Sequence, residues 1–406
     1  MSLSVPLARS DASPLRRFFD LELLDNRYPA LHGMRVVAIV SVVQYHVTSI
    51  LALEEKLPLD RSWTTTSMSI FFGMDLFFVL SGFLIGSILL RSVETSGTTQ
   101  LQRFYLRRVF RTFPSYYVVL TCLVVSALLG GTLTALHRHN LPYEYAYLTN
   151  YVQISREGLM MLWAWSLALE EQFYLSVPLL FFLLQRLRSD RVRLALLGSF
   201  WSAALVVRLT IYLRGHDWTY PQLYDALYFK THTRFDTLVA GIILAYVQNR
   251  WHAPIARWLE SPAVRAALAM PSLACLWVLM QPWLFGEEHM LLVRVFSWGT
   301  LTSVMYFGWT LSLLNGQDGW IKRSLSLPVF RRIATLGYGV YLVHIPVCDA
   351  VVRPLARALT KGRGWPMPVV WPLSVIVLMV SSLVVSYGLH VFVEKPSLRL
   401  RERFAR

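Results

Sequence analysis

Long apolar runs recur along almost the whole chain, and short segments rich in arginine and other polar residues separate them. Each run has about 20 residues, the length that a helix needs to cross the hydrocarbon core of a membrane. The pattern therefore predicts an all-α fold with ten membrane-spanning helices. The predicted spans lie at 34–53, 70–90, 113–131, 161–185, 193–213, 234–249, 265–285, 290–314, 332–352 and 367–392.

Composition supports this fold class. The 406 residues are 55% hydrophobic and only 16% charged, with a mean hydropathy of +0.45, so the chain has more apolar surface than one soluble core could hide. The 14 Trp and 19 Tyr suit a protein with two membrane interfaces. The 3 Cys show no CxxC or His-rich spacing, so we expect neither a disulfide framework nor a metal site.

The net charge of +15 would suggest a nucleic-acid partner for a soluble protein, but a membrane protein uses such charge to fix its orientation. Of the 39 Lys and Arg residues, 26 lie in the two terminal segments and in the alternate connections on the same side. That side, which holds both termini, is predicted to be cytoplasmic, and no nucleic acid is expected. The basic segment 353–364 is predicted on the opposite side and departs from this orientation rule. It is either a functional patch or a sign that a late span is miscounted.

We expect a cytoplasmic segment at 1–26, a transmembrane domain at 27–399 and a basic cytoplasmic tail at 400–406. Arginine and aspartate interrupt the first segment, so no cleavable signal peptide is expected, and neither is an appended soluble domain. Two longer non-cytoplasmic segments, about 132–160 and 214–233, are rich in aromatic, histidine and amide residues. They either bind a sugar or form an ordinary interfacial belt.

The first span carries Arg35 and His46. A polar group at the centre of a bilayer costs about 2.5–3.5 kcal/mol, so it is retained mainly where it is paired or functional. The two residues are separated by ~16 Å of helix rise. Arg35 is therefore predicted at the cytoplasmic face and His46 at or beyond mid-membrane. A lone buried histidine is often only structural.

The second span has Asp75 near its outer end and Ser81 and Gly82 in its middle. Small residues at 81, 82, 86 and 87 predict close approach of another helix.

Four arginines follow in the connection to the third span. On a helix, Arg107 and Arg111 share a face and Arg108 neighbours Arg111, with Arg103 one turn before Arg107. Guanidinium groups pair with phosphates through two parallel hydrogen bonds, so the cluster suits a phosphorylated ligand. A topogenic signal is the alternative explanation.

The fourth span begins with three polar residues spaced four apart. Ser166, Glu170 and Tyr174 share one helix face, whereas Glu171 points about 100° away. We expect at least one of the two adjacent acids to meet a basic partner or a substrate.

With these motifs, the chain resembles the acyltransferase family 3 membrane O-acyltransferases. The resemblance runs from about residue 27 to 399 and lies in family order. The matching motifs are LHGMRVVAIVSVVQYHV, GMDLFFVLSGFLI, FYLRRVFRTFPSYY, WSLALEEQFYL, RFDTLVAGIILAY, LGYGVYLVHIP and VEKPSLR.

The resemblance implies a protein of the bacterial inner membrane that takes an acyl group from cytoplasmic acyl-CoA, usually acetyl-CoA, and uses no metal. The acceptor would be a hydroxyl of a sugar, a glycolipid or another small molecule. By motif position, Arg35 and His46 match the essential pair of the family, and Arg108 and Arg111 its Arg-x-x-Arg pair. Ser166 and Glu170 match its Ser-x3-Glu element, and His344 matches the histidine of its late YLxH motif. The residues expected to bind the substrate or support the site are Ser166, Tyr174, Asp75, Ser81, Arg234 and His344. His32 departs from the acidic residue that is common at its position.

Acyl transfer from a thioester to a hydroxyl requires a base and stabilisation of an oxyanion. His46 can act as general base or as a transient acyl carrier, and Glu170 is predicted to orient its imidazole. Arg35 and the arginines from Arg103 to Arg111 would hold the phosphates of coenzyme A. A transporter remains an alternative, although the sequence shows neither interrupted helices nor inverted repeats. A purely structural membrane scaffold would not need His46, Glu170 and the arginine cluster to be aligned across the membrane.

Overall fold

The computed structural model describes residues 19–97, 99–280, 287–316 and 319–404, which are mostly helical and contain no strand. The all-α prediction is therefore confirmed. The helices are α1 Pro29–Ser49, α2 Arg61–Ser69, α3 Gly73–Ser96, α4 Leu101–Leu129, α5 Ala135–Tyr145, α6 Trp165–Arg186, α7 Asp190–Arg214, α8 Tyr220–Leu227, α9 Thr231–Arg234, α10 Asp236–Trp258, α11 Pro262–Met280, α12 Glu287–Phe296, α13 Thr302–Asn315, α14 Trp320–Leu325, α15 Pro328–Val347, α16 Arg353–Arg357, α17 Met367–Leu389 and α18 Lys395–Phe404.

Nine helical stretches among the described residues are long and apolar enough to span a membrane, which confirms a polytopic bundle. The sixth predicted span, 234–249, lies mostly in α10, which is helical but is not one of the nine. Its apolar stretch ends at Gln248, Asn249 and Arg250, so it is shorter than a full span. Parts of the predicted segments 1–26, 265–285 and 400–406 lie outside the described residues.

The third predicted span begins earlier than the sequence indicated. The helix starts at Leu101 instead of 113, because the arginine-rich connection continues the same helix and Pro114 does not end it. The arginines from Arg103 to Arg111 are consequently held on a rigid element. Their positions relative to one another follow the helical spacing that the sequence predicted.

The basic segment 353–364 is largely helical and extends the span that begins at Pro328. Arg353 forms ion pairs with Glu54 and Glu55 at 2.6 and 2.9 Å, and Arg357 also pairs with Glu55. The Arg357 guanidinium holds the pKa of Glu55 below its usual range. Local acids therefore neutralise part of the basic excess that departs from the orientation rule.

The helices α3 and α10 approach each other closely in the core. A Cβ on Gly82 would overlap the carbonyl oxygen of Leu238, and a Cβ on Gly241 would overlap that of Val79. Gly86 lies similarly close to Ala245. The predicted close helix approach is confirmed, since only residues without a side chain permit these backbone distances.

One helix is broken inside the bundle, which the sequence analysis did not anticipate. Between α12 and α13, Gly299 has φ 124°, a conformation that favours glycine. The buried Arg208 donates to the Val295 carbonyl at 2.8 Å and to Asp236 and Thr300 at 2.8 and 2.6 Å. A protein side chain thus satisfies the backbone group that the break leaves free.

Candidate active site

A first cavity, which we call the basic cavity, brings together the predicted residues of α1, α3, α4 and α6. Its volume is about 150 Å³. The predicted residues that line it are Arg35, Ser81, Arg108, Arg111, Ser166, Glu170 and Tyr174. The four-residue spacing in α6 therefore indicated the face that points into the bundle.

Hydroxyl groups surround the acids of the basic cavity. Ser81 and Tyr174 hydrogen-bond each other and line the cavity together with Glu170. Glu171, which the spacing placed on another face, also lines the cavity, as does Thr112. The cavity is wide enough to include both helix faces.

The arginines of the basic cavity have no carboxylate within 4 Å among the described residues, so their charge is available to an anionic ligand. Arg108 lies over the ring of Tyr174, 4.3 Å from its centroid. This cation–π contact fixes the guanidinium without neutralising it.

The structure does not bring all the predicted phosphate-binding arginines into one cavity. Arg103 and Arg107 line a neighbouring opening together with Arg91, and Arg108 is shared with the basic cavity. Arg91, at the end of α3, was missed because it stands alone in the sequence. The arginines thus form a continuous basic surface around the mouth of the basic cavity.

A second cavity of about 860 Å³, the histidine cavity, contains His46. Residues from both of the aromatic segments that the sequence singled out line it. They include Tyr151, Gln153, Arg156, Gln222, Tyr224, Asp225, Phe229 and Lys230, and Trp163 and Trp165 from the start of the fourth span complete that wall. These two loops fold over the same end of α1.

The ring of His46 is held by His344, whose Nε2 lies 3.2 Å from His46 Nδ1. His344 Nδ1 is 2.7 Å from the Tyr341 carbonyl, which only accepts, so Nδ1 carries the hydrogen and Nε2 accepts. His46 Nδ1 also lies 3.0 Å from the Val42 carbonyl and must therefore be the protonated nitrogen. These contacts assign the tautomers and leave His46 Nε2 with a free lone pair.

The predicted partnership between Glu170 and His46 is not present in the structure. Glu170 lines the basic cavity together with Ser81 and Tyr174, whereas His46 lies in the histidine cavity and hydrogen-bonds Val42 and His344. Glu170 and His46 thus line different cavities, and a layer of side chains lies between those cavities. The imidazole is oriented by His344, which is 298 residues away in sequence and leaves no spacing signal.

Asp75 and Arg234 form a fully buried ion pair and line neither cavity. Arg234 also lies under the ring of Tyr228, 4.7 Å from its centroid. Tyr228 in turn contacts Trp165, with ring centroids 5.0 Å apart, at the wall of the histidine cavity. The pair therefore supports that wall from behind.

The helical bundle and its two polar cavities define an integral membrane protein. A family model described as an acyltransferase domain matches residues 28–391, and the chain belongs to acyltransferase family 3. No solved structure matches the chain.

Curated relatives agree with this family. The chain is 28% identical over 351 residues to "Peptidoglycan O-acetyltransferase OatA" of Listeria monocytogenes, covering 83% of this chain and 51% of that protein. It is 26% identical over 390 residues to "Putative peptidoglycan O-acetyltransferase YrhL" of Bacillus subtilis, covering 91% and 55%. It is also 26% identical over 336 residues to "Putative O-acetyltransferase SACOL0978" of Staphylococcus aureus, covering 80% and 51%. The chain thus spans about half the length of the curated relatives it matches.

Proposed function

We propose that the protein is an O-acyltransferase of the bacterial inner membrane with both termini in the cytoplasm. It would move an acyl group, most simply acetyl, from cytoplasmic acyl-CoA to a hydroxyl of a sugar, a glycolipid or a small molecule. The observation that carries this proposal is the placement of Arg35 and His46. One helix, α1, presents Arg35 to the basic cavity and His46 to the histidine cavity.

The basic cavity would hold the donor. Arg35, Arg108 and Arg111 offer guanidinium groups that match phosphate oxygens geometrically and have no carboxylate partner among the described residues. Arg103 and Arg107 extend the same charge outward. The pyrophosphate of coenzyme A would lie at this mouth, and its pantetheine arm would point along α1 toward His46.

His46 would act as the general base. Its free Nε2 lone pair takes the proton of the acceptor hydroxyl while that oxygen attacks the thioester carbonyl. The carbon–sulfur bond then breaks, and the thiolate of coenzyme A recovers the proton from the imidazolium. In a relay mechanism, Nε2 itself attacks the thioester first, and rapid quenching would then trap an acyl-histidine.

The histidine cavity would hold the acceptor. Aromatic rings and a few polar groups line it, the combination typical of a small-molecule site with fixed orientation. Two of the relatives above are named as acting on peptidoglycan. A glycan hydroxyl is consistent with both observations.

The donor assignment is tested by following acyl-CoA consumption by the purified protein with no solute gradient, which a transporter would not show. A charge-assisted phosphate contact contributes roughly 1.5–3 kcal/mol, so Arg111→Ala should raise the Michaelis constant for acyl-CoA by about one to two orders of magnitude. Arg186→Ala removes an arginine that lies over the ring of Phe182 and lines neither the basic cavity nor its neighbouring opening, and it should leave the Michaelis constant unchanged. If the Arg111→Ala and Arg186→Ala variants have the same Michaelis constant for acyl-CoA, Arg111 does not bind the donor and serves only as a topogenic signal.

The assignment of His344 predicts a graded series. His344→Ala removes the acceptor for His46 Nδ1–H, but the Val42 carbonyl remains, so transfer should fall by about 10- to 100-fold, the usual cost of losing an orienting partner. His344→Gln can place an amide oxygen near the lost Nε2 and should recover part of the rate, whereas His344→Asn is too short. The measurement is kcat at saturating donor. Equal rates for Gln and Ala variants would contradict the orienting role.

A further inference from the structure

The two cavities approach each other closely and have no lining residue in common. On α1, Ile39 lines the basic cavity and Tyr45 the histidine cavity. At the start of α6, Trp165 lines the histidine cavity and the next residue, Ser166, lines the basic cavity. On α15, Tyr341 lines the basic cavity and Ile345, about one turn later, lines the histidine cavity. The separating layer is therefore about one to two helical turns thick, or ~5–9 Å.

Tyr341 closes this layer through its hydroxyl. The hydroxyl donates to the Trp163 carbonyl at 2.6 Å, and it accepts from the hydroxyl of Ser166, also at 2.6 Å. The donor roles are fixed because a carbonyl can only accept. The Trp163 indole donates to the Leu342 carbonyl at 3.2 Å, which ties the same turn of chain to α15 a second time.

The contacts of Tyr341 join residues from opposite sides of the layer. Ser166 and Tyr341 line the basic cavity, whereas Trp163 lines the histidine cavity. The backbone carbonyl of Tyr341 accepts from His344, the residue that holds His46. Tyr341 thus contacts one residue that lines each cavity, Ser166 and Trp163, and also His344, which holds His46.

We propose that Tyr341 is a movable barrier between the basic cavity and the histidine cavity, and that its side chain must swing aside for the acyl arm of the donor to reach His46. This rests on the proposed function, which places the donor and the histidine in different cavities. Only two neutral hydrogen bonds hold the hydroxyl, so its displacement is compatible with turnover. Ser166 then has a defined role, because it holds the barrier closed.

An accessibility experiment tests the barrier without any acyl transfer. In full-length protein with the 3 native cysteines replaced, Ile345→Cys reports on the histidine cavity and Thr335→Cys identifies the membrane side from which the basic cavity is reached. A membrane-impermeant maleimide is added from that side only. Because Tyr341→Phe deletes both hydrogen bonds, labelling at position 345 should be roughly tenfold faster than with Tyr341 present.

Tyr338 provides the matched control. It lies on the same helix and lines the same cavity, but its hydroxyl donates to the Thr112 carbonyl at 2.8 Å instead of bridging the layer. Tyr338→Phe should leave the labelling rate at position 345 unchanged. If Tyr341→Phe fails to fold, Ser166→Ala removes one of the two bonds and should accelerate labelling by a smaller factor.

The same variants separate the barrier from the proposed function. With acyl-CoA and no acceptor, Tyr341→Phe should hydrolyse acyl-CoA faster than the wild type does, because water from the histidine cavity gains access to the thioester. Faster labelling of the Tyr341→Phe variant, together with no binding of coenzyme A by the wild type, would retain the barrier and reject the proposed acyltransferase function. Unchanged labelling in the Tyr341→Phe and Ser166→Ala variants would overturn the barrier, whatever the enzymatic result.

Discussion

Replacing His46 with alanine should abolish acyl transfer while the protein stays folded and still binds coenzyme A. A general base contributes about 10²–10⁴-fold to such a reaction, and a relay nucleophile contributes at least as much, so the rate should fall by at least ~100-fold. Donor binding should persist, because the basic cavity does not include His46. The decisive measurements are the transfer rate and the equilibrium binding of coenzyme A on the same preparation.

His139 offers a histidine control for this experiment. It is exposed on α5 and lines neither cavity, so His139→Ala should transfer at the wild-type rate. A thermal melt in detergent then establishes that both variants are folded. Wild-type transfer by a folded His46→Ala protein would end the mechanism proposed above.

The part of the site that the sequence predicted depends on local spacing within helices. Ser166, Glu170 and Tyr174 recur every four residues, and the structure places all three in the basic cavity. Arg108 and Arg111 follow the same rule on α4. Helical geometry is set by the backbone, so residues three or four apart share a face whatever the tertiary packing.

The contact between His46 and His344 depends instead on which helices become neighbours. A ten-helix pattern allows many arrangements, and the apolar stretches do not select among them. The sequence therefore favours Glu170 as the partner, because of its helix face and motif position, although the structure places Glu170 and His46 in different cavities. The orienting role of His344 could be recognised only once the packing of α15 against α1 was known.

The broken helix at Gly299 was missed for a related reason. Its local sequence, SWGTL, is apolar enough to continue a span, and a single glycine is tolerated inside a helix. The break is stabilised by Arg208, Asp236 and Thr300, which lie far apart along the chain. The polar groups at this break are hydrogen-bonded to one another, which distinguishes it from a helix break that lines a transport pathway.

The buried pair of Asp75 and Arg234 should have the largest effect on stability. Both side chains are fully buried, and removing one partner leaves an uncompensated charge in the bundle. Such a change typically costs about 3–5 kcal/mol, so Asp75→Asn should lower the free energy of unfolding by that amount. Reversible unfolding in mixed detergent micelles measures it. The rate per folded molecule should stay near wild type, because neither residue lines a cavity.

A double variant distinguishes a supporting pair from a substrate-binding one. Replacing both charges with apolar residues of similar size is often neutral for stability, so Asp75→Leu combined with Arg234→Met should regain most of what Asp75→Asn loses. The double variant should also keep its transfer rate, because the wall beneath Tyr228 and Trp165 is again filled. If instead the double variant is stable but loses acceptor affinity, Asp75 and Arg234 take part in binding, and the wall of the histidine cavity must open to reach them.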